Sequence, residues 1–128
     1  MASHINLGLK GERVAIKLLK AKGFEILRRN FISDNRTGEI DIIARDGEIL
    51  CFVEVKTRHA SYLLDNSSDE TWLRKHQADR IENAAGDYLY KIGRPPVKYR
   101  FDLIEIEYSN WGLKNVHHWE KSFGMKGN

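Results

Sequence analysis

The chain has 128 residues, a net charge of +3, 41% hydrophobic and 30% charged side chains, and a single cysteine. That length suits one domain with one buried core, a lone cysteine excludes an internal disulfide, and no run of about 18 apolar residues is present to cross a bilayer. No charged segment leads into an apolar run near Met1, so no signal peptide is predicted, and Cys51 fits a reducing cytoplasm.

Residues 8–22 read as a helix, with Gly8, Gly11, Ala15, Leu18, Leu19 and Lys22 at helical spacing. Its small residues suit close packing on a sheet, and Gly23 ends it. Phe24 to Phe31 read as a strand and Ser33 to Thr37 as a turn. Two β-branched runs follow, Gly38 to Arg45 and Glu48 to Lys56, with Asp46-Gly47 between them as a hairpin turn. Residues 59–70 read as a polar loop. A second helix is predicted from Asp69 or Thr71 to Tyr90, with Ile81, Ala84, Ala85, Tyr88 and Leu89 as its apolar stripe, and Gly93-Arg94-Pro95-Pro96 stops it. Val97 to Tyr108 alternate as a strand: Tyr99, Phe101 and Leu103 face one way, Arg100, Asp102, Ile104 and Ile106 the other. Residues 115–120 add a short edge strand. The α-β-β-β-α-β order predicts an α/β fold, a mixed central sheet with helices on its faces. The domain is expected to span 1–128, with its core at about 8–107 and an extension at 108–128.

The hairpin carries charge where apolar strands normally do not, and an unpaired buried carboxylate is costly. Closing it about Asp46 and Gly47 sets Arg45 opposite Glu48, Asp41 opposite Phe52 and Glu39 opposite Glu54. Period two then gives Glu39, Asp41, Glu54 and Lys56 one face, and Ile40, Ile42, Ala44, Ile49, Cys51, Val53 and Val55 the other. Asp41 and Glu54 become diagonal neighbours, about 7–8 Å apart at Cα, spaced for two carboxylates to share a hard cation. Magnesium or manganese held there would polarise a phosphoryl oxygen and activate water, with Lys56 orienting that water or stabilising developing charge.

Asp41 followed by Glu54-Val55-Lys56 resembles the PD-(D/E)XK signature of restriction-endonuclease-like nucleases. The wider pattern of Gly11-Glu12-x-x-Ala15, Gly23-Phe24-x-Ile26-Leu27-x-Arg29-Asn30, Gly38 to Arg45, Phe52 to Arg58 and Arg100-Phe101-Asp102 resembles the YraN family over roughly residues 8–106. That bacterial family is described as uncharacterised and nuclease-like, and archaeal Holliday-junction resolvases share the fold. The resemblance implies three antiparallel strands, a helix, and a strand returning parallel beside the third. It also implies that helix-borne Glu12 completes the metal site and that Gln77 approaches the attacking water. The motif's proline is absent, since Ile40 precedes Asp41.

Several of these residues have a second reading. Glu12 also suits the positive end of a helix. Glu39 is either a metal ligand or the partner of Lys56 or a nearby arginine. Gln77 is either a water-positioning group or an ordinary exposed helix residue. Arg28, Arg29, Arg36, Arg58, Arg74 and Lys75 are candidate phosphate contacts, because the acidic centre (three basic and eight acidic residues in 37–70) lies between basic flanks. His117 and His118 are adjacent on a strand, face opposite ways and do not share a cation.

The expected function is metal-dependent endonuclease cleavage of branched or structured DNA, in the cytoplasm and without membrane contact; by analogy with resolvases the protein acts as a homodimer. The alternative is a nucleic-acid-binding module of the same fold with little or no cleavage, serving repair or recombination. A third reading is a structural partner whose acids pair with its own arginines.

Overall fold

In the computed structural model the backbone is described for residues 3–59 and 67–120, and side chains for 9–59 and 78–120. The elements run α1 (Ser3–Ala21), β1 (Glu25–Ile32), β2 (Glu39–Asp46), β3 (Ile49–His59), α2 (Ser67–Lys91), β4 (Lys98–Ser109) and β5 (Gly112–Trp119). The strands form one sheet in chain order. Pairing is antiparallel except between β3 and β4, which run parallel and are joined through α2. A parallel pair needs such a crossover because a tight turn cannot reverse the chain twice. The described residues contain no helix long and apolar enough to cross a membrane.

Two cores sandwich the sheet. On one face Ile42, Ala44, Cys51, Val53, Ile104 and Ile106 meet Ala15 and Leu19 of α1. On the other, Ile43, Leu50, Phe52 and Phe101 meet Ile81, Ala84, Ala85 and Tyr88 of α2. Each large apolar side chain buried this way contributes about 1.5–3 kcal/mol. The apolar stripe predicted for α2 is therefore its sheet-facing side. The end of α1 is fixed by Phe24 N–H to Leu19 C=O at 2.9 Å and Gly23 N–H to Lys20 C=O at 3.0 Å. This is the paired-bond helix stop in which an apolar residue beyond the glycine folds back onto the helix.

Close approach explains two of the glycines. A Cβ on Gly11 would lie 1.9 Å from Thr57 Oγ1, so α1 touches β3 there. A Cβ on Gly38 would lie 2.0 Å from the Arg80 carbonyl oxygen, so the start of β2 passes directly against the α2 backbone.

Four expectations need correction. The hairpin closes about Gly47 and Glu48: Asp46 pairs with Ile49, Arg45 with Leu50 and Ile43 with Phe52. Gly47, at φ +62°, takes the first central position of the two-residue loop, so Asp46 joins the strand. A slip of two residues preserves the faces, so Asp41 and Glu54 still point the same way. Second, Ile40 packs with Ile43 in the α2 core, although Ile42 packs in the α1 core. Strict alternation therefore breaks at Asp41. Third, α1 starts at Ser3 and α2 at Ser67, so helix occupies part of the predicted polar loop, whose residues 60–66 lie outside the described ones. Fourth, the edge strand is a full eight residues, Gly112–Trp119.

A buried polar network locks the α1 side of the sheet. Asp102 is fully buried and accepts from Arg100 Nε at 3.0 Å. His118 Nε2 lies 2.9 Å from the same carboxylate, and His118 Nδ1 lies 2.6 Å from Lys22 Nζ. An ammonium can only donate, so Nδ1 accepts and Nε2–H donates to Asp102. Arg100 also reaches Asp46 at 3.3 Å. Burial disfavours the Arg100 charge, yet the bonds and charge of Asp102 more than compensate and hold its pKa above the ordinary value. The network joins the end of α1, the hairpin turn, β4 and β5.

Candidate active site

The site forms where β2 and β3 separate. Their pairing runs from Asp46↔Ile49 to Ile42↔Val53 and stops. At the next position Asp41 Oδ2 accepts the Val55 N–H at 2.8 Å. A side chain thus takes a bond that a ladder carbonyl would otherwise make, which is why the facing pattern of β2 slips there. Asn30, on β1 beside this point, has φ +52°, and its amide Nδ2 donates to Glu12 Oε1 at 3.4 Å. Asparagine tolerates this left-handed conformation better than most residues.

Asp41 and Glu54 line one cleft, close enough for each carboxyl to act on the other's pKa. Burial raises the pKa of Glu54 most, followed by the charge of Asp41; Lys56 opposes the rise. Burial also raises Asp41, against the Val55 N–H. The pair therefore resists carrying two charges at once, and Glu54 is pushed up to about 9. Glu12, half-buried on α1, is raised by burial and then by the charge of Asp41, while Asn30 and Arg29 lower it. Glu39 also faces this centre: with Asp41, Glu54, Arg80 and Ile81 it lines a small open cleft. Its carboxylate meets Arg80 at 3.2 Å, the arginine pairing foreseen as one of its two readings.

Among the described residues no three Asp, Glu, His or Cys side chains converge as a group able to hold an ion. Two half-buried carboxyls lining one open cleft do fit a hard cation in kind. Magnesium is commonly held by one or two carboxylates, with water and substrate phosphate completing its shell. Asp41 and Glu54 are the residues that would hold it, with Glu12 next in electrostatic reach.

The sequence profile of the Uncharacterised protein family UPF0102 matches residues 11–106, which include every acid of this centre. The chain belongs to that family, the YraN family. Similar relatives are a UPF0102 protein of Chlorobaculum tepidum, 43% identical over 100 residues (78% of this chain, 74% of the relative), and one of Chlorobaculum parvum, 39% identical over 114 residues (89% and 84%). A third, from Geobacter metallireducens, is 37% identical over 120 residues (94% and 93%).

In this UPF0102 chain the other predicted residues are distributed more widely. Lys56 lies on the α2 face of β3, two residues beyond Glu54, and with Arg58 lines a groove toward β5. Thr57 faces the opposite way, against Gly11. Arg29 approaches Glu12 at 3.9 Å on the α1 side. Arg28 instead lies over the Phe31 ring, 5.2 Å from its centroid, on the α2 side. Arg36 is exposed in the β1–β2 connection, at φ +59°. The side chains of Gln77, Arg74 and Lys75 lie outside the described residues. His117 and His118 face opposite ways, as period two requires: His117 stacks on Trp119 and His118 enters the Asp102 network.

Two contributors were overlooked in the sequence. Asn30 carries a bond to Glu12, and an asparagine inside a predicted strand is disfavoured enough to have marked it. The Arg100–Asp102 pair sits on a strand face otherwise occupied by Ile104 and Ile106, and a buried charge there demands a partner.

Proposed function

We propose that this protein is a metal-dependent endonuclease that hydrolyses phosphodiester bonds in branched or structured DNA. The observation that carries the reading is the half-buried Asp41–Glu54 pair lining one cleft, with Lys56 two residues along the same strand face. Two half-buried carboxyls held this close at a raised pKa suit a role as ligands better than a role in stability. A divalent cation would supply Lewis acidity toward a phosphoryl oxygen and an attacking water. Asp41 and Glu54 would hold it, and Val55 N–H fixes the orientation of the Asp41 carboxylate. Lys56 would bind or steer the water or the charged phosphate. Glu12, oriented by Asn30 and Arg29, would add negative charge on the α1 side.

The test is a panel of linear, flapped, forked and four-way DNA substrates, with RNA counterparts, in magnesium or manganese. Asp41→Ala and Glu54→Ala should abolish cleavage and leave a folded protein. Cleavage that persists in both variants overturns the assignment.

The binding-module reading draws support from one observation: the described carboxylates do not form a ready-made three-ligand cage. Salt-sensitive DNA binding in chelator, with no cutting of any substrate in the panel, would favour it.

A further inference from the structure

The sheet face that carries Glu54 continues past β3. The register sets Glu54, Leu103 and Trp119 in one transverse row, and Lys56, Glu105 and His117 in the next. Neighbouring strands lie about 4.8 Å apart, so Trp119 stands about 10 Å across the sheet from Glu54. Trp119 and His117, alternate residues of β5, lie side by side with ring centroids 3.8 Å apart and a 33° tilt. The indole Nε1–H donates to Glu105 Oε1 at 2.9 Å, which fixes the ring, yet Trp119 stays 45% exposed. A tryptophan that merely finished a core would be covered. The opposite side of β5 has that role, through Val116 in the α1 core and His118 on Asp102.

These rings line the groove that Lys56 and Arg58 enter from β3. Its remaining polar lining is Glu105, Glu107 and Asn115. Carboxylates repel a phosphate backbone but accept from the N–H groups on the edges of unpaired bases, as an asparagine amide also can. Anchored aromatic surface beside acceptors suits a base; the cationic wall toward Glu54 suits its phosphate. The strand β5 lies beyond residue 106, where the family match ends.

The geometry points to a subsite on β5 for an unpaired nucleobase, which stacks on Trp119 and His117 while a neighbouring phosphate of the same strand lies at Asp41 and Glu54. The inference rests on the reading of those acids as a phosphodiester site. It narrows the substrate class to strands with unpaired bases next to the scissile bond, because a base inside a duplex has no free face to offer.

The experiment measures binding of the full chain to labelled oligothymidine and to blunt duplex DNA, both in EDTA, so that cleavage plays no part. Trp119→Ala should bind oligothymidine about 5- to 100-fold more weakly, the loss expected for one base–aromatic stack, with duplex binding little changed. Trp119→Phe should retain most of the affinity. An oligonucleotide carrying 5-iodouracil should photocrosslink to Trp119 or His117. If Trp119→Ala does not fold, Trp119→Leu against Trp119→Phe supplies the same contrast. Equal single-strand affinity in wild type and variants, or crosslinks confined to other elements, overturns the subsite. If cleavage still depends on Asp41 and Glu54 in that case, the phosphodiester reading survives alone. A wild-type chain that binds neither DNA also overturns the subsite, while the cleavage panel still decides the phosphodiester reading.

Discussion

Asp41 replaces a backbone acceptor: its Oδ2 takes the Val55 N–H at 2.8 Å immediately past the last β2–β3 pair, Ile42↔Val53. The acid is thereby fixed by the strand that also presents Glu54 and Lys56. A loop-borne acid would lack that fixed spacing.

The raised pKa values of this pair make stability depend on pH. Both acids have folded pKa values above their unfolded ones, burial being the main cause. Between the unfolded range, about 4, and the raised folded values, the native chain binds more protons than the unfolded chain. The pair's contribution is therefore complete below about pH 4 and is lost as pH rises through the folded values. Glu54→Gln removes one charge and should stabilise the metal-free protein by about 1–2 kcal/mol at mildly alkaline pH, with little gain in mild acid. Urea titrations of both proteins across this range check it. A difference that stays constant with pH refutes the raised pKa values.

Magnesium should raise the melting temperature, and more so in mild alkali than in mild acid, because protons compete for the ligands. At about 100 times the dissociation constant the gain is about 2.7 kcal/mol. Asp41→Asn should remove it. Calorimetric scans with and without the ion, on both proteins, decide the point.

The Asp102 network predicts a different loss. Asp102→Ala leaves Arg100 buried without its main partner and should cost about 3–5 kcal/mol in chemical denaturation. Folding is the quantity affected, since Arg100, His118 and Lys22 lie on the α1 side and Glu54 faces α2. A loss under about 1 kcal/mol would show that the network is solvated.

The glycines separate two kinds of tight contact. Gly11→Ala meets the Thr57 hydroxyl, so Thr57→Ala should recover much of the stability lost, a coupling of about 1–3 kcal/mol. Gly38→Ala meets the Arg80 backbone carbonyl, which no side-chain substitution can remove. It should lower stability by about 1–3 kcal/mol or more, without rescue by Arg80→Ala. Thermal melts of the singles and doubles test both statements.

Much of this architecture can be read from local pattern. Alternating apolar residues in β3 and β4 and the stripe of α2 follow from burial on a defined face, so Phe52, Phe101, Ile81 and Ala84 were identifiable as core. The joint facing of Asp41 and Glu54 was also legible, since a two-residue slip of the turn does not change parity. The slip itself was not, because Asp46-Gly47 and Gly47-Glu48 both supply a glycine suited to a two-residue loop. Nor was the switch of Ile40 to the α2 core: alternation assumes a continuous ladder, and the Asp41 side chain interrupts it. The partners of Asp102 escaped for another reason, since Lys22 and His118 reach it only once α1 and β5 have docked.

The opening between β2 and β3 leaves Asp41 answerable to both layers of the sandwich, to Glu12 on one helix and to the Glu39–Arg80 couple on the other. Any occupant of that gap acts as a rivet through the sheet. Its arrival should slow amide exchange in the facing turns of both helices together, so that seating a ligand at the middle of the domain stiffens its two outer walls at once.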